Sequence, residues 1–165
     1  EFSRAKEPNL SMTNVNMIIE RSIGILENEF RLRYIDIRKK LSDNIFETLL
    51  DENQIEQVFV NLLLNAAHAI DKKGTIIVES IIDPDYENII IRFSDDGPGI
   101  SQENLSKIFD PFFSTKTGGS GLGLAVSYGI IQNHQGSLKV QNLSEKGCRF
   151  TITLPILEEK STSDG

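Results

Sequence analysis

From Thr13-Asn14 onward, apolar residues recur at Ile19, Ile23, Leu26 and Phe30, which is helical spacing, with Asn14 or Asn16 as the cap. Tyr34–Arg38 alternates instead, with Ile35 and Ile37 on one side, and predicts a strand. Asp51 followed three residues later by Gln54 marks the start of a long helix over about 51–71, punctuated by Gly74. Thr75–Ile82 and Asn88–Ser94 are β-branched runs joined by Asp-Pro-Asp-Tyr-Glu-Asn, so they pair as an antiparallel hairpin. A turn-rich Asp-Asp-Gly-Pro-Gly follows, and Ser101 caps a short helix to about Phe109. Residues 110–120 combine Pro, Ser, Thr and Phe with Gly118-Gly119, the composition of a mobile loop. A second long helix runs from about Gly121 to His134 and stops at Gly136. Ser137–Asn142 and Gly147–Leu154 form a closing hairpin ended by Pro155. Strands interleaved with three substantial helices predict an α+β, two-layer α/β sandwich, with the helices on one face of a mixed, mostly antiparallel sheet.

Length and charge narrow this picture. The chain has 165 residues, enough for one domain with a real core. Residues 1–12 read as a linker, whose Glu1-Phe2 has the look of a cloning scar; 13–157 form the domain and 158–165 a frayed tail. A net charge of −7 argues against a binder of nucleic-acid backbones. One Cys and two His supply neither a disulfide nor a four-ligand zinc set. No apolar run approaches the ~18 residues that span a bilayer, and no signal peptide opens the chain. The expectation is a soluble, cytoplasmic domain without direct membrane contact.

Three features carry chemistry. On the helix over 51–71, Gln54, Gln57, Asn61, Asn65 and His68 fall within ~40° of one line at ~100° per residue, and the rest of the helix is apolar. A narrow amide stripe is either a wet helix edge or a face with something polar lying over it, and the two readings weigh about equally. The second feature is Asp95-Asp96-Gly97-Pro98-Gly99-Ile100, directly after a strand. Its glycines let the chain come close to a ligand and its carboxylate can accept from an exocyclic amine, although alone it reads as an ordinary Asp-Gly turn. The third is Gly119-Ser120-Gly121-Leu122-Gly123-Leu124 at a helix start, where free N–H groups and the helix dipole suit an anion. It is neither a P-loop nor the dinucleotide fingerprint, and it gains weight from standing in order with the other two. Between the glycine turns lies Ile108-Phe109-Asp110-Pro111-Phe112-Phe113-Ser114-Thr115-Lys116. Its Phe residues either pin a loop to the core or line a lid, from which Lys116 reaches a phosphate.

Gln57-Val58-Phe59-Val60-Asn61-Leu62-Leu63-Leu64-Asn65-Ala66, then DDGPGI, IFDPFFSTK and GGSGLGLAVS resemble the N, G1, F and G2 boxes of the ATP-binding catalytic domain of sensor histidine kinases, in that order. The closing IQNHQGSLKV…GCRFTITLP is similar to the family's last helix and hairpin, most of all in its nitrogen-regulator branch. The resemblance implies the Bergerat fold shared with gyrase, the heat-shock 90 chaperones and mismatch-repair ATPases, with ATP and Mg²⁺ as cofactors. Asn65 would ligand the Mg²⁺, with Asn61 assisting, and Asp95 would accept from the adenine amino group. Gly97 and Gly99, with Ile100 beyond them, would let the chain approach the base. Gly119, Gly121 and Gly123, with Ser120, Leu122 and Leu124, would hold the phosphates, and Lys116 would help from the lid; Asn61, Asn65 and Lys116 are the expected catalytic residues.

Three positions depart from the family pattern. His68 stands where many members carry Lys, so its phosphate role would depend on pH. Ala69 replaces an aromatic that often covers the base, and Cys148 lies near the place where related ATPases put a hydroxyl. Neither His68 nor His134 stands in a phosphoacceptor setting, so the acceptor helices are expected elsewhere, on a histidine-containing dimerisation domain joined in cis. The piece is then a monomeric donor that does not phosphorylate itself, with a response regulator downstream. Two other classes compete: a clamp-type ATPase of the same fold, for which Asn61 is a poor general base, and a degenerate nucleotide-sensing module, against which Asn65, Asp95 and the intact glycines argue.

Overall fold

The computed structural model describes residues 7–45, 47–111, 113 and 123–158. A five-stranded sheet is built from β2 (Ile35–Leu41), β4 (Gly74–Ile82), β5 (Asn88–Asp95), β6 (Ser137–Asn142) and β7 (Cys148–Pro155), in the order β2-β4-β5-β7-β6. Only β2 and β4 run parallel; β4-β5 and β6-β7 are antiparallel hairpins, and β5 pairs antiparallel with β7 across the intervening helices and β6. The fold is α+β and its sheet is mixed and mostly antiparallel, as the spacing predicts.

Alternation fixes which face is covered. Ile76 and Val78 on β4, Ile89, Ile91 and Phe93 on β5, and Phe150, Ile152 and Leu154 on β7 are buried. The register sets them side by side, Val78 opposite Phe93 and Phe93 opposite Phe150, so they share one face. Above that face α3 (Glu52–Ile70) packs between α1 (Val15–Ile25) and α5 (Gly123–Asn133). Phe59 of α3 meets Phe93 with ring centroids 5.4 Å apart, joining helix layer to sheet.

The caps match their sequence signals. Asn14 Oδ1 accepts from Asn16 N–H at 2.8 Å. Asp51 Oδ1 accepts from Gln54 N–H at 3.0 Å, which starts α3. Ser101 caps α4, but α4 covers only Gln102–Leu105 and does not reach Phe109. Beyond it the N–H groups of Lys107 and Asp110 turn back onto carbonyls three residues earlier; Pro111 disfavours helical backbone at Asp110, and these tight turns drop Ile108 into the core. The first periodic run also divides: Leu26, at φ −101°, ends α1 and precedes α2 (Glu27–Leu32), while Leu26 and Phe30 stay buried across the break. At the end of α5 Gln135, not Gly136, takes the left-handed conformation, at φ +63°. Gly136 is needed for a different reason, since a Cβ there would stand 2.4 Å from Thr153 O of β7.

One small element has no clear sequence signal. β1 (Ser11–Thr13) pairs antiparallel with β3 (Thr48–Leu50), so Ser11 and Met12, counted above with the linker, hydrogen-bond to the domain. On its other side β3 meets the C-terminal segment: Leu157 N–H donates to Thr48 Oγ1 at 2.6 Å. Among the described residues, no helix is long and apolar enough to cross a membrane.

Candidate functional site

Asp95 is the last residue of β5, on the covered face of the sheet, and is only 4% exposed. Its Oδ1 accepts from Gly97 N–H at 2.9 Å. Burial pushes its carboxyl above the usual range, Asp96 nearby adds to that, and the N–H groups of Gly97 and Cys148 oppose it. A buried carboxylate at a strand end, fixed by backbone donors, is a directed acceptor.

The turn that follows is built by close approach. A Cβ at Gly97 would lie 3.1 Å from both Ala69 O and Asp95 Oδ1, so this glycine brings the end of α3 against the turn. Gly99 sits at φ +84°. Next to it Asn142 Oδ1 accepts from Ile100 N–H at 2.8 Å, and Asn142 Nδ2 donates to Ile100 O at 2.5 Å. Gly147, at φ +98°, lies so close beneath Asp95 that a Cβ would fall 1.9 Å from its carbonyl oxygen. Asn142 and Gly147 hold the site and went unnoticed in the sequence, because the only signal was a polar residue and a glycine flanking a hairpin turn. Cys148 is buried beside Asp95; desolvation first and that carboxylate second push its thiol up to about 12, so it stays protonated.

The amide stripe divides by position. Gln57 and His68 are exposed, whereas Gln54, Asn61 and Asn65 are half-buried. Asn61 has a helix over it: its Nδ2 donates to Gly123 O at 3.0 Å and to Ser127 Oγ at 3.2 Å, both on α5. That leaves its Oδ1 as an acceptor. Asn65, one turn further along α3, makes no side-chain hydrogen bond to another described residue. His68 sits in the last turn of α3, where the helix dipole favours a cation.

These residues form one track. Asn61, Asn65 and Ala69 follow one another at four-residue spacing on α3. The track runs from Gly123 at one end to Gly97 and Asp95 at the other, eight residues or about 12 Å of helix. Gly123 and Leu124 open α5 beside Asn61. Lys116, Gly119, Ser120, Gly121 and Leu122 lie outside the described residues. Within the Phe-rich stretch, Phe109 stacks on Tyr128 of α5 at 5.1 Å and meets Phe150 of β7 edge-on at 6.3 Å; this Phe pins the chain to the core.

Residues 50–158 match the family described as histidine kinase-, DNA gyrase B-, and HSP90-like ATPase. The chain belongs to that family, as a catalytic ATP-binding domain of the histidine kinase kind. It is 39% identical over 148 residues to the sensor histidine kinase ZraS of Salmonella typhi, a match over 90% of this chain and 32% of ZraS. A nucleotide-free catalytic domain of the histidine kinase ThkA superposes with a TM-score of 0.83 at 31% identity, covering 90% of this chain and 97% of that one. ThkA in complex with the response regulator protein TrrA is similar at a TM-score of 0.79 and 29% identity, over 92% of this chain and 43% of that one. The chain spans about a third of the length of its ZraS relatives.

Proposed function

We propose that this domain binds Mg·ATP along the α3 track and presents the γ-phosphoryl group to a histidine on a separate domain of a longer sensor kinase. The observation that carries the reading is the track itself, with a buried acceptor carboxylate, Asp95, at one end and the Asn61–α5 junction at the other. Asp95 accepts from the adenine amino group, which a guanine does not offer at that position. Phosphates then lie toward the first turn of α5 at Gly123 and Leu124, and the family resemblance assigns phosphate contacts to Lys116, Gly119, Ser120, Gly121 and Leu122 as well. His68, one residue before Ala69, lies toward the adenine end of α3, seven residues or about 10 Å of helix from Asn61; when protonated it would meet only the phosphate nearest the base.

The donor set fits Mg²⁺. The Asn65 amide oxygen is a hard, half-exposed ligand, and Mg²⁺ needs few protein oxygens when phosphates and water fill the rest of its shell. When bound, the ion neutralises charge developing on the transferred phosphoryl. Asn61 keeps α5 against α3 and cannot take a proton from water, so hydrolysis is slow and transfer to a protein acceptor is the productive route. The acceptor is a histidine on a dimerisation domain joined in cis, and the phosphoryl then passes to a response regulator.

Titration with ATP, with and without Mg²⁺, tests this directly. Wild type should bind ATP and not GTP, and Asn65→Ala should chiefly remove the Mg²⁺ dependence. Equal affinity for GTP would overturn the adenine role of Asp95. Label moving from γ-phosphate onto His68 or His134 of this chain alone would overturn the separate acceptor.

A further inference from the structure

His134 is 4% exposed, belongs to none of the roles above, and sits at a junction of three segments. Its Nε2 accepts from the backbone N–H of Asp51 at 3.0 Å, and its Nδ1 lies 2.9 Å from Ile130 O. The ring therefore holds its proton on Nδ1, donating it into the last turn of α5. Asp51 is the partner hub. Its Oδ1 caps α3 and its Oδ2 accepts from Asn9 N–H at 2.8 Å, in the segment before β1. His134 thus ties the end of α5 to the start of α3 at the point where the N-terminal segment is anchored.

The second tie between these helices is Asn61, bonded to Gly123 O and Ser127 Oγ. The two ties are ten residues apart on α3, about 15 Å. α3 and α5 run antiparallel, since the start of α3 meets the end of α5. Two ties at that spacing fix the angle of α5 as well as its distance. With the tie at His134 cut, α5 can turn about the Asn61 tie, so that its first turn, still held at Gly123 O and Ser127 Oγ, changes its angle to the track. The adenine end would not follow, because Asp95, Gly97 and Asn142 are anchored on β5 and β6.

Resting on the ATP reading, we propose that His134 is a positioning residue that couples the segment around Asn9 to the phosphate end of the nucleotide site. The residue acts through α5 and touches no nucleotide.

The test compares Mg·ATP with adenosine on the full chain by titration calorimetry, with circular dichroism confirming the folded state. His134→Ala strands the buried Asp51 N–H and should weaken Mg·ATP on the order of tenfold while adenosine stays within about twofold. His134→Gln returns an acceptor to that N–H and should recover most of the ATP affinity. Asn9→Pro deletes the donor to Asp51 Oδ2 and should weaken Mg·ATP about threefold, with no further loss when combined with His134→Ala. Unchanged ATP affinity in His134→Ala, or equal loss of both ligands, overturns the proposal. Should His134→Ala not fold, His134→Gln and Asn9→Pro decide: both leaving ATP and adenosine as in wild type overturns it too. A wild type that binds neither ligand overturns the nucleotide reading and this inference with it, whereas normal wild-type binding with indifferent variants removes only the latter.

Discussion

The two ends of the α3 track are built by different means. At the Asp95 end everything is backbone and sheet: a carboxylate on β5, a turn fitted against Ala69 O, and a hairpin glycine with no room for a Cβ. At the Asn61 end two helices meet through the side-chain hydrogen bonds of Asn61, with a second tie at His134 about 15 Å further along the pair. A sheet-anchored site cannot shift without breaking strand pairs, whereas a helix tied at two points can rotate when one is lost. On the ATP reading proposed above, base selection would rest on the rigid part of the molecule and phosphate handling on the adjustable part.

The most severe way to break the first end is Gly147→Ala. The methyl would overlap Asp95 O and force a side chain into φ +98°, so a loss of about 3 kcal/mol or more is expected in urea melts. A loss under ~1 kcal/mol would show that the Asp95 end yields after all.

Asp95→Asn sharpens the contrast. ATP and adenosine should weaken together, by roughly ten- to a hundred-fold, since a charge-assisted hydrogen bond contributes about 1.5–3 kcal/mol. The ligand-free variant should nevertheless melt higher. Burial raises the Asp95 carboxyl, so its ionisation at neutral pH opposes folding, and an amide keeps the acceptor without the charge. The sign is that of a raised group: its contribution is complete below the ordinary carboxylate range and lost as pH rises through the folded value.

Asn61→Ala addresses the other end. Mg·ATP affinity should fall about tenfold, ~1.4 kcal/mol, with adenosine changed less than about twofold. Parallel losses in calorimetry would erase the distinction between the ends.

The smallest effect belongs to Cys148. Its thiol is raised from 9.0 to about 12, so stability from this group is complete below 9.0 and declines as pH climbs toward 12. Cys148→Ala should flatten that alkaline decline in pH-dependent melts. An unchanged slope would mean that the thiol reaches solvent.

Much of the fold is legible in the sequence. Alternation in Thr75–Ile82, Asn88–Ser94 and Gly147–Leu154 specified one buried face because the strand period is two, and the Asp51–Gln54 cap set the start of α3. The N and G1 motifs meet in space where Ala69 O approaches the Gly97 turn, whereas most of the F and G2 motifs lies outside the described residues. The break at Leu26 and the shortness of α4 were not visible, because apolar spacing persists through a tight turn.

Local period and turn chemistry specify the covered face of the sheet and the amide face of α3, and both can be read along the chain. Folding brings Asn61 to Gly123, Asn142 to Ile100, Gly147 to Asp95, and His134 to Asp51, 83 residues away. Those contacts join segments far apart along the chain, and no local pattern records which distant backbone group a buried side chain will meet.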